Sequence, residues 1–337
     1  MAALANVIRF GLVGTGRMAR VMAGELRTLE PHGVAIGAVC SRDRERGRAF
    51  AAAHGIGRCH LTVDELACDP EIDAVYIATP PALHAAQAIA CLENGKAVLC
   101  EKPFALDAGE ARRVVSTARA RRAFLMEAMW TRFLPAVGRL RELVRDGRLG
   151  ALQLLIGGGA FIPDVAPGYY LFDSTLGGGA LLDAGVYLVS LASMCLGLPT
   201  RVMASAELGR SGVDENDALL CDHRDGAKSL LYVSLRARRP PDLELLGATG
   251  RARLGAPVFR PTELTITIGA QDPLTHDCPI EGSGYGYQLV AMVEALRRGE
   301  TEHATMSLDE TLGVMEAMDA GRRQWLARDL VRQPAGC

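Results

Sequence analysis

The chain of 337 residues lacks the features that mark several classes of protein. Its 37 basic and 39 acidic side chains nearly cancel, so no charge excess favours nucleic acid or an anionic membrane surface as a partner. No uninterrupted apolar stretch approaches the roughly 20 residues that span a bilayer. The sequence therefore predicts neither a nucleic-acid-binding protein nor a membrane protein.

Cysteine and histidine also lack a pattern. The nine cysteines include no C-x-x-C pair, and the seven histidines show no metal-ligand spacing. In a chain of this size, scattered cysteines are typical of reduced thiols in a cytosolic protein. We therefore expect a cytoplasmic protein without a metal site.

The first 130 residues alternate short apolar runs with helical patterns. The runs cover residues 7–13, 34–40, 74–79, 97–100 and 124–127. Helix starts are indicated by Asp43, by Asp107 and by the capping box that begins at Thr62. Apolar strands that alternate with helices indicate a parallel sheet covered on both faces. The sequence predicts an α/β protein with a doubly wound Rossmann domain over residues 1–130.

Residues 131–337 follow a different pattern. Helices are predicted near 135–146, 180–196 and 287–298, and another from Ser307. Between them lie closely spaced strands, with a hairpin signal at Asp225-Gly226 and a turn at Thr249-Gly250. Such strands favour a second, α+β domain built on a largely antiparallel open sheet.

A glycine-rich stretch follows the first strand. Gly14-Thr15-Gly16-Arg17-Met18-Ala19 fits the pattern G-x-G-x-x-G/A, which is weak alone but here lies between a strand and a helix. Glycines allow the backbone to approach a pyrophosphate, and the helix N-terminus offers free N–H groups. We expect Gly14, Thr15, Gly16, Arg17 and Met18 to bind a dinucleotide.

The end of the second strand favours NADP over NAD. NAD-binding domains place an acid there for the ribose hydroxyl, whereas this chain has Ser41-Arg42. Both side chains can hold a 2′-phosphate, and the guanidinium can also stack on adenine. Asp43 comes one position late and is interpreted as a helix N-cap. The alternative is that Arg42 is an ordinary surface residue.

Two further loops follow strands at the same predicted sheet edge, where open parallel sheets bind ligands. Thr79 and Pro80 are predicted to contact the cofactor, and His84 either does the same or is an ordinary helix residue. Residues 97–104, AVLCEKPF, end a core strand in Glu101-Lys102-Pro103. Because lysine is rarely buried without a partner, either the strand reaches solvent there or Lys102 points into a site.

These motifs resemble the Gfo/Idh/MocA oxidoreductases over nearly the whole chain. Within that family, four stretches are similar to the dimeric dihydrodiol dehydrogenases, also known as NADP-dependent D-xylose dehydrogenases. The stretches are AVLCEKP (97–103), FLMEAMWTRFLPA (124–136), GGALLDAGVY (178–187) and GVDENDALL (212–220). The resemblance implies a substrate-binding and dimerisation domain over residues 131–337, and a homodimer formed through its sheet.

The resemblance also implies roles for residues. Lys102 would lie beside the nicotinamide and reach the substrate oxygen, Glu101 would contact the cofactor, and the bond before Pro103 is commonly cis in the family. Trp130 and Phe161 would line the substrate pocket, although both are also natural core residues.

Asp183 and Tyr187 lie four residues apart in a predicted helix and so share a face. The family often has histidine where this chain has Tyr187, and the preceding Gly177-Gly178-Gly179 is expected to let substrate or cofactor approach. Tyr187 can alternatively be a packed aromatic, while a buried Asp183 needs a donor, for which Lys102 is a candidate. An ammonium beside a phenol favours the phenolate. We expect catalysis by Lys102, Asp183 and Tyr187, with Tyr187 as acid/base; whether Lys102 or Tyr187 exchanges the proton stays open.

The predicted function is an NADP-dependent oxidoreductase that acts on a small sugar, polyol, dihydrodiol or dicarbonyl compound. One alternative is an NAD-dependent glycoside hydrolase of the same fold, which would prefer an acid in place of Ser41-Arg42. Another is a cofactor-sensing protein without turnover, which would tolerate loss of Lys102 or Tyr187. Residues 162–176 depart from the related sequences, so neither the substrate nor the direction of reaction is predicted.

Overall fold

The computed structural model describes residues 7–166 and 168–332, which form two compact units. The first unit contains the residues up to Trp130 together with Glu281–Thr311, and the second contains Thr131–Ile280 and the residues from Leu312. The division predicted from the sequence placed all residues after 130 in the second domain. The difference arises because Glu281–Thr311 packs back on the first unit, where the Leu125 amide donates to the Thr301 carbonyl at 3.0 Å.

The described elements run in the following order along the chain. The strands are β1 (Ile8–Val13), β2 (Val34–Cys40), β3 (Cys59–His60), β4 (Ala74–Ile77), β5 (Ala97–Cys100), β6 (Leu125–Glu127), β7 (Leu152–Ala160), β8 (Arg201–Leu208), β9 (Asp214–Asp222), β10 (Lys228–Ser234), β11 (Arg239–Gly247), β12 (Gly250–Leu254), β13 (Glu263–Ile268) and β14 (Leu274–Asp277). The helices are α1 (Arg17–Thr28), α2 (Arg44–Ala53), α3 (Val63–Ala67), α4 (His84–Glu93), α5 (Ala108–Arg121), α6 (Pro135–Arg145), α7 (Val186–Leu196), α8 (Gly286–Arg297) and α9 (Leu308–Arg332).

The first unit contains a six-stranded sheet in the order β3-β2-β1-β4-β5-β6, with every pair parallel. The predicted doubly wound fold is therefore confirmed; the two-residue strand β3 is an addition. The strands β4 and β5 are buried along their whole length, as expected when helices cover both faces. This order places the carboxyl ends of β1, β2, β4 and β5 at one edge, where ligands bind in open sheets.

Local signals fix the helix starts around this edge. The Asp43 side chain accepts from the Arg46 amide at 3.0 Å, so Asp43 is the N-cap of α2. Thr62 and Glu65 form a complete capping box at α3, and Asp107 accepts from the Glu110 amide at 2.8 Å. These caps satisfy amides that the first turn of a helix leaves without partners.

The second unit contains an eight-stranded sheet in the order β14-β13-β12-β11-β7-β10-β9-β8. Among its described strands only β7 and β10 pair in parallel, so the prediction of a largely antiparallel sheet is confirmed. The predicted hairpin joins β9 and β10, and Asp225 (φ 59°) and Gly226 (φ 83°) both adopt the left-handed conformation that such turns require.

The two faces of this sheet differ. Helix α6 packs on β12 and β13, and α7 packs on β7 and β10. Alternate side chains such as Leu155, Leu231 and Leu243 are buried on that face, each less than 4% exposed. On the opposite face Ile156 is 41% exposed and Leu230 42% exposed. One face therefore belongs to the core, and the other presents apolar side chains to the surface.

The helix predicted near 180–196 is interrupted by a different geometry. Leu181–Gly185 forms a π-helical turn, and the α-helix α7 begins only at Val186. A Cβ at Gly185 would lie 2.8 Å from Leu181 Cδ1, so the glycine lets the wider turn pack closely. Single π turns occur often at functional sites.

The segment Ser174–Leu196 is long and apolar enough to cross a membrane by length and composition. However, 72% of its most apolar window is buried within the protein, and a core helix satisfies the same criterion. This segment is therefore weak support for a membrane span.

Candidate active site

A cleft of about 700 Å³ lies at the carboxyl edge of the first sheet. Its walls include Gly14, Thr15 and Gly16 as well as Thr79 and Pro80, all predicted to bind the cofactor. Gly14 has φ +105°, and a Cβ there would lie 2.9 Å from the Ala78 carbonyl oxygen, so only glycine fits. A Cβ at Gly16 would meet no atom within 4 Å. The loop thus leaves room at the N-terminus of α1, as a pyrophosphate requires.

The far end of the cleft is basic. The predicted residues Ser41 and Arg42 line it, and Asp43 and Arg46 line it as well. The sequence prediction missed Arg46, although its position four residues after Arg42 could have indicated it. Leu61 and Val63 add aliphatic walls, which suit an adenine ring. The end of the cleft therefore combines an apolar slot with two guanidinium groups.

Five predicted cofactor residues are not among the described cleft walls: Arg17, Met18, His84, Glu101 and Lys102. Arg17 and Met18 form the first turn of α1, with the Arg17 side chain exposed. Arg17 is near enough to Glu101 to favour the charged form of that carboxyl. The Arg17 charge thus stabilises the ionised Glu101 side chain in the loop after β5.

The loop that follows β5 is held by buried polar contacts. The Glu101 side chain accepts from the Tyr76 hydroxyl and, at 3.2 Å, from the backbone amide of Lys102. Burial raises the pKa of Glu101, while the Tyr76 hydrogen bond and the Lys102 charge oppose that rise. The bond between Lys102 and Pro103 is cis, as the resemblance implied. Tyr76, which sequence reasoning missed, is a member of this buried network.

His84 bridges two loops of the first unit. Its ring is fully buried, with Nδ1 2.9 Å from the Pro103 carbonyl oxygen and Nε2 2.8 Å from the Thr79 carbonyl oxygen. Both ring nitrogens are thus engaged by the main chain, and no ring surface is exposed. His84 therefore ties the loop after β4 to the loop after β5, and its predicted contact with the cofactor stays a prediction. Burial lowers the pKa of His84, and the Lys102 charge adds to that effect.

Trp130 lies at the end of the first unit and is 3% exposed. Its ring stacks on Tyr285, with centroids 4.1 Å apart and planes at 25°. Tyr285 was not predicted, because it comes from the distant segment Glu281–Thr311 that returns to this unit. The pocket role of Trp130 stays a prediction.

In the second unit, Asp183 lies within the π turn, and Tyr187 lies in the first turn of α7. Tyr187 is 9% exposed, and its ring lies 5.9 Å from that of Phe259. Asp183 accepts a hydrogen bond from the Tyr170 hydroxyl at 2.8 Å, so Tyr170 supplies the donor that a partly buried carboxylate needs. No spacing rule indicated Tyr170, because an irregular segment separates it from Asp183. Phe161, just after β7, is 37% exposed.

The glycines before Asp183 lie against other parts of the chain. A Cβ at Gly178 would overlap the carbonyls of Tyr170 and Leu171, and a Cβ at Gly179 would overlap the Asp214 carboxyl. These glycines therefore let the Tyr170–Leu171 main chain lie against Gly178 and the Asp214 side chain lie against Gly179. The approach of a substrate or cofactor to this loop stays a prediction.

The residues of the first unit suit cofactor binding, and those of the second unit suit proton transfer. The first unit offers a glycine loop, a basic end and a fixed lysine loop, which fit a phosphorylated dinucleotide. The second offers a phenol and a carboxylate on successive turns, which can exchange and orient a proton. Among the described residues, no group of three or more His, Cys, Asp or Glu side chains is placed to hold a metal ion.

Comparison with known proteins identifies relatives of the whole chain. An oxidoreductase family with an NAD-binding Rossmann fold matches residues 8–129, and the GFO/IDH/MocA C-terminal domain matches residues 137–253. The trans-1,2-dihydrobenzene-1,2-diol dehydrogenase of Homo sapiens is 32% identical over 323 residues, which cover 94% of this chain and 96% of that protein. The enzyme of the same name from Bos taurus is 31% identical over 324 residues, with the same coverage of 94% and 96%.

Solved structures share the fold. A 3-ketoreductase from Actinomadura kijaniata, determined with NADP and TDP-benzene, has a TM-score of 0.83 at 26% identity and covers 94% of this chain and 98% of its own. A levoglucosan dehydrogenase, determined with NADH and levoglucosan, has a TM-score of 0.87 at 20% identity, covering 96% and 98%. The second likeness concerns the fold alone. The family description, an NAD-binding Rossmann fold, supports a nicotinamide nucleotide without choosing between NAD and NADP.

Proposed function

The chain belongs to the Gfo/Idh/MocA oxidoreductase family, and from this premise we propose that it is an NADP-dependent dehydrogenase of a small sugar, polyol or dihydrodiol. The observation that carries the proposal is the nucleotide cleft, in which a glycine loop at one end is matched by Ser41, Arg42 and Arg46 at the other. The diol in the name of the relatives carries vicinal hydroxyl groups, which supports this substrate class.

The preference for NADP rests on the charge at the far end of the cleft. Two guanidinium groups favour a dianionic 2′-phosphate, and one carboxylate oxygen of Asp43 already serves as the N-cap of α2. Titration calorimetry with NADPH and NADH checks this preference. Arg42→Ala and Arg46→Ala should each weaken NADPH by about 10- to 100-fold and leave NADH nearly unchanged. Arg44→Ala is the matched control, because Arg44 lies on α2 with Arg46 but is not among the described cleft walls. Equal losses of affinity for NADPH and NADH would reject the assignment.

For catalysis we assign the three residues predicted from the sequence. When bound, the nicotinamide supplies the acceptor for the hydride that leaves the alcohol carbon. The hydroxyl proton must leave at the same time, and Tyr187 is the base that we assign to it. Lys102 would stabilise negative charge on the oxygen, and Asp183 would orient the polar groups. The buried network of Tyr76, Glu101 and His84 supports this assignment, because it holds the main chain of the Lys102 loop.

The test follows formation of NADPH with D-xylose, D-glucose, an inositol and a trans-dihydrodiol. Wild-type protein should turn over at least one of them. Lys102→Ala and Tyr187→Phe should each lower kcat by about 10²- to 10⁴-fold while NADPH still binds. Lys228→Ala, whose ammonium pairs with Asp222 on the surface of the second sheet, is the control for loss of a lysine. Cofactor binding without turnover would instead support the sensor, and glycoside cleavage with NAD would support the hydrolase.

We also propose that the protein is a homodimer through the surface-exposed face of the eight-stranded sheet. Ile156 and Leu230 are partly exposed in the middle of this face, next to Tyr232, which packs on Gly158. Exposed apolar side chains grouped on one sheet face are typical of an association surface. Leu230→Asp should convert a dimer to a monomer in sedimentation equilibrium. A wild-type protein that sediments as a monomer at micromolar concentration would reject the proposal.

A further inference from the structure

The segment between β7 and the π turn contacts Asp183, a residue assigned to catalysis. It is irregular, with two short 3₁₀ turns at Tyr170–Phe172 and Ser174–Leu176. From the first of these turns, the Tyr170 hydroxyl donates to Asp183 Oδ1 at 2.8 Å. Both side chains are partly buried, so water competes only weakly for the bond. A hydrogen bond to a carboxylate is stronger than one between neutral groups, and it fixes the direction of the carboxylate.

The backbone that carries Tyr170 is itself held in place. The Gly178 amide donates to the Asp173 carbonyl at 2.9 Å, and the Gly179 amide donates to the Leu171 carbonyl at 2.9 Å. Because Gly178 has no side chain, the carbonyls of Tyr170 and Leu171 can lie directly against it. The neighbouring Leu171 is 3% exposed and belongs to an apolar cluster with Ala180. The phenol of Tyr170 therefore projects from a backbone that is anchored by two hydrogen bonds and a buried neighbour.

The main chain and the side chain of Asp183 are fixed by different groups. Asp214 Oδ2 accepts from the Leu181 amide at 2.7 Å, and the Asp183 amide donates to the Gly179 carbonyl at 3.2 Å. These bonds hold the start of the π turn. Tyr170 instead contacts the carboxylate. Removing the Tyr170 hydroxyl should therefore loosen the carboxylate while the backbone of the turn stays in place.

We propose that Tyr170 is a positioning residue, which holds the Asp183 carboxylate in the orientation that the reaction requires. The inference rests on the proposed function, because it takes Asp183 to act in catalysis. It also gives the first 3₁₀ turn, Tyr170–Phe172, a role in turnover. A change in this turn would alter kcat through Asp183, even where the substrate contacts are unchanged.

The test compares two adjacent tyrosines of the segment. Tyr170→Phe should lower kcat by about 10- to 100-fold and leave KM and the NADPH dissociation constant within about 2-fold, since a positioning hydrogen bond acts mainly on the reacting geometry. Tyr169→Phe is the matched control: its ring lies 4.7 Å from that of Tyr170, but it is 40% exposed. Its kinetic constants should match those of the wild type. Equal kcat for the Tyr170→Phe variant and the wild type would overturn the inference.

A double-mutant cycle shows whether Tyr170 acts through Asp183. In the Asp183→Asn background, Tyr170→Phe should change kcat by less than about 2-fold. Full additivity would overturn the inference. The same four proteins are compared by urea unfolding, where non-additive midpoints are expected whether or not the protein has activity. Wild-type protein that turns over no substrate would refute the proposed function, whereas active wild type with an unaffected Tyr170→Phe variant would refute only this inference.

Discussion

Two glycine-containing turns, one in each unit, look alike in sequence, but Gly16 of the first turn has surroundings opposite to those of Gly178 and Gly179 in the second. In the first unit, a Cβ at Gly16 would meet nothing within 4 Å, because the space opens toward the nucleotide cleft. In the second unit, a Cβ at Gly178 or Gly179 would overlap atoms of the protein itself. A glycine pair therefore marks a close approach of the backbone, but it does not tell whether a ligand or another part of the chain approaches.

The turns also differ in what holds them. The first lies between β1 and α1, and its Gly14 amide donates to the Cys40 carbonyl at the end of β2 at 3.0 Å. The second depends on Asp214, which lies 33 residues beyond Leu181 and accepts its amide. The nucleotide-binding turn is recognisable from the sequence because a strand and a helix flank it, whereas no sequence pattern indicates the contact between Asp214 and the turn before Asp183.

The largest expected effect comes from filling the second turn. Gly179 has φ +119°, and a Cβ there would overlap the Asp214 carboxyl, so Gly179→Ala should lower the free energy of unfolding by about 3 kcal/mol. Urea unfolding followed by circular dichroism measures this loss. Gly24→Ala is the control: Gly24 lies within α1 with no atom within 4 Å of its Cβ position, and alanine there should stabilise by about 0.5–1 kcal/mol. Equal unfolding midpoints for Gly179→Ala and wild type would show that the second turn can accommodate a Cβ without loss of stability.

The second effect concerns the acids beside that turn. Asp217 is 3% exposed, and the structure gives neither of its side-chain oxygens a hydrogen-bond partner among the described residues. Burial, and secondarily the charge of Asp214, raise the pKa of Asp217 from an ordinary value of 3.8 to about 10. The folded protein therefore keeps this proton after the unfolded chain has released it. The corresponding stability is fully present below about pH 4 and is lost as pH rises toward about 10.

Asp217→Asn tests this dependence, because asparagine resembles the protonated acid. Between about pH 5 and 9, the wild type should lose up to about 1.4 kcal/mol of unfolding free energy per pH unit more than the variant does. Urea unfolding across that range measures both slopes. Asp222→Asn, at the surface end of the same strand, is the control, since its pKa is lowered, chiefly by Lys228. Parallel slopes for Asp217→Asn and wild type would mean that Asp217 is ionised in the folded protein.

The parts of the fold that were predicted are those with local signals. The strand Val34–Cys40, the N-cap at Asp43 and the capping box at Thr62 all lie where the sequence placed them. Apolar strand patterns and capping side chains involve residues that are close in sequence. These signals can therefore be recognised in a single sequence without knowledge of the fold. The same holds for the glycine loop and for Arg42, whose positions follow from the strands that precede them.

The parts that were missed depend on contacts between distant residues. Tyr285 reaches Trp130 only because the segment Glu281–Thr311 returns to the first unit. Tyr170 meets Asp183 across an irregular segment, and the π turn replaces a regular helix start. His84 was recognisable as a residue near the cofactor loop, but its complete burial follows from the carbonyls of two separate loops. No period or motif in the sequence encodes these pairings.

The smallest effect on stability, and the sharpest contrast with the second turn, is expected at Gly16. Its backbone is extended, with φ −76° and ψ −169°, so alanine fits without strain, and the free energy of unfolding should change by less than about 0.5 kcal/mol. The added methyl group would occupy the space through which a pyrophosphate approaches, so Gly16→Ala should weaken NADPH binding by about 10-fold or more in titration calorimetry. Gly179→Ala, assayed as whatever fraction remains folded, should bind NADPH as the wild type does. If Gly16→Ala instead loses stability and keeps its affinity, the first turn is packed like the second, and the cleft does not receive the phosphates at this loop.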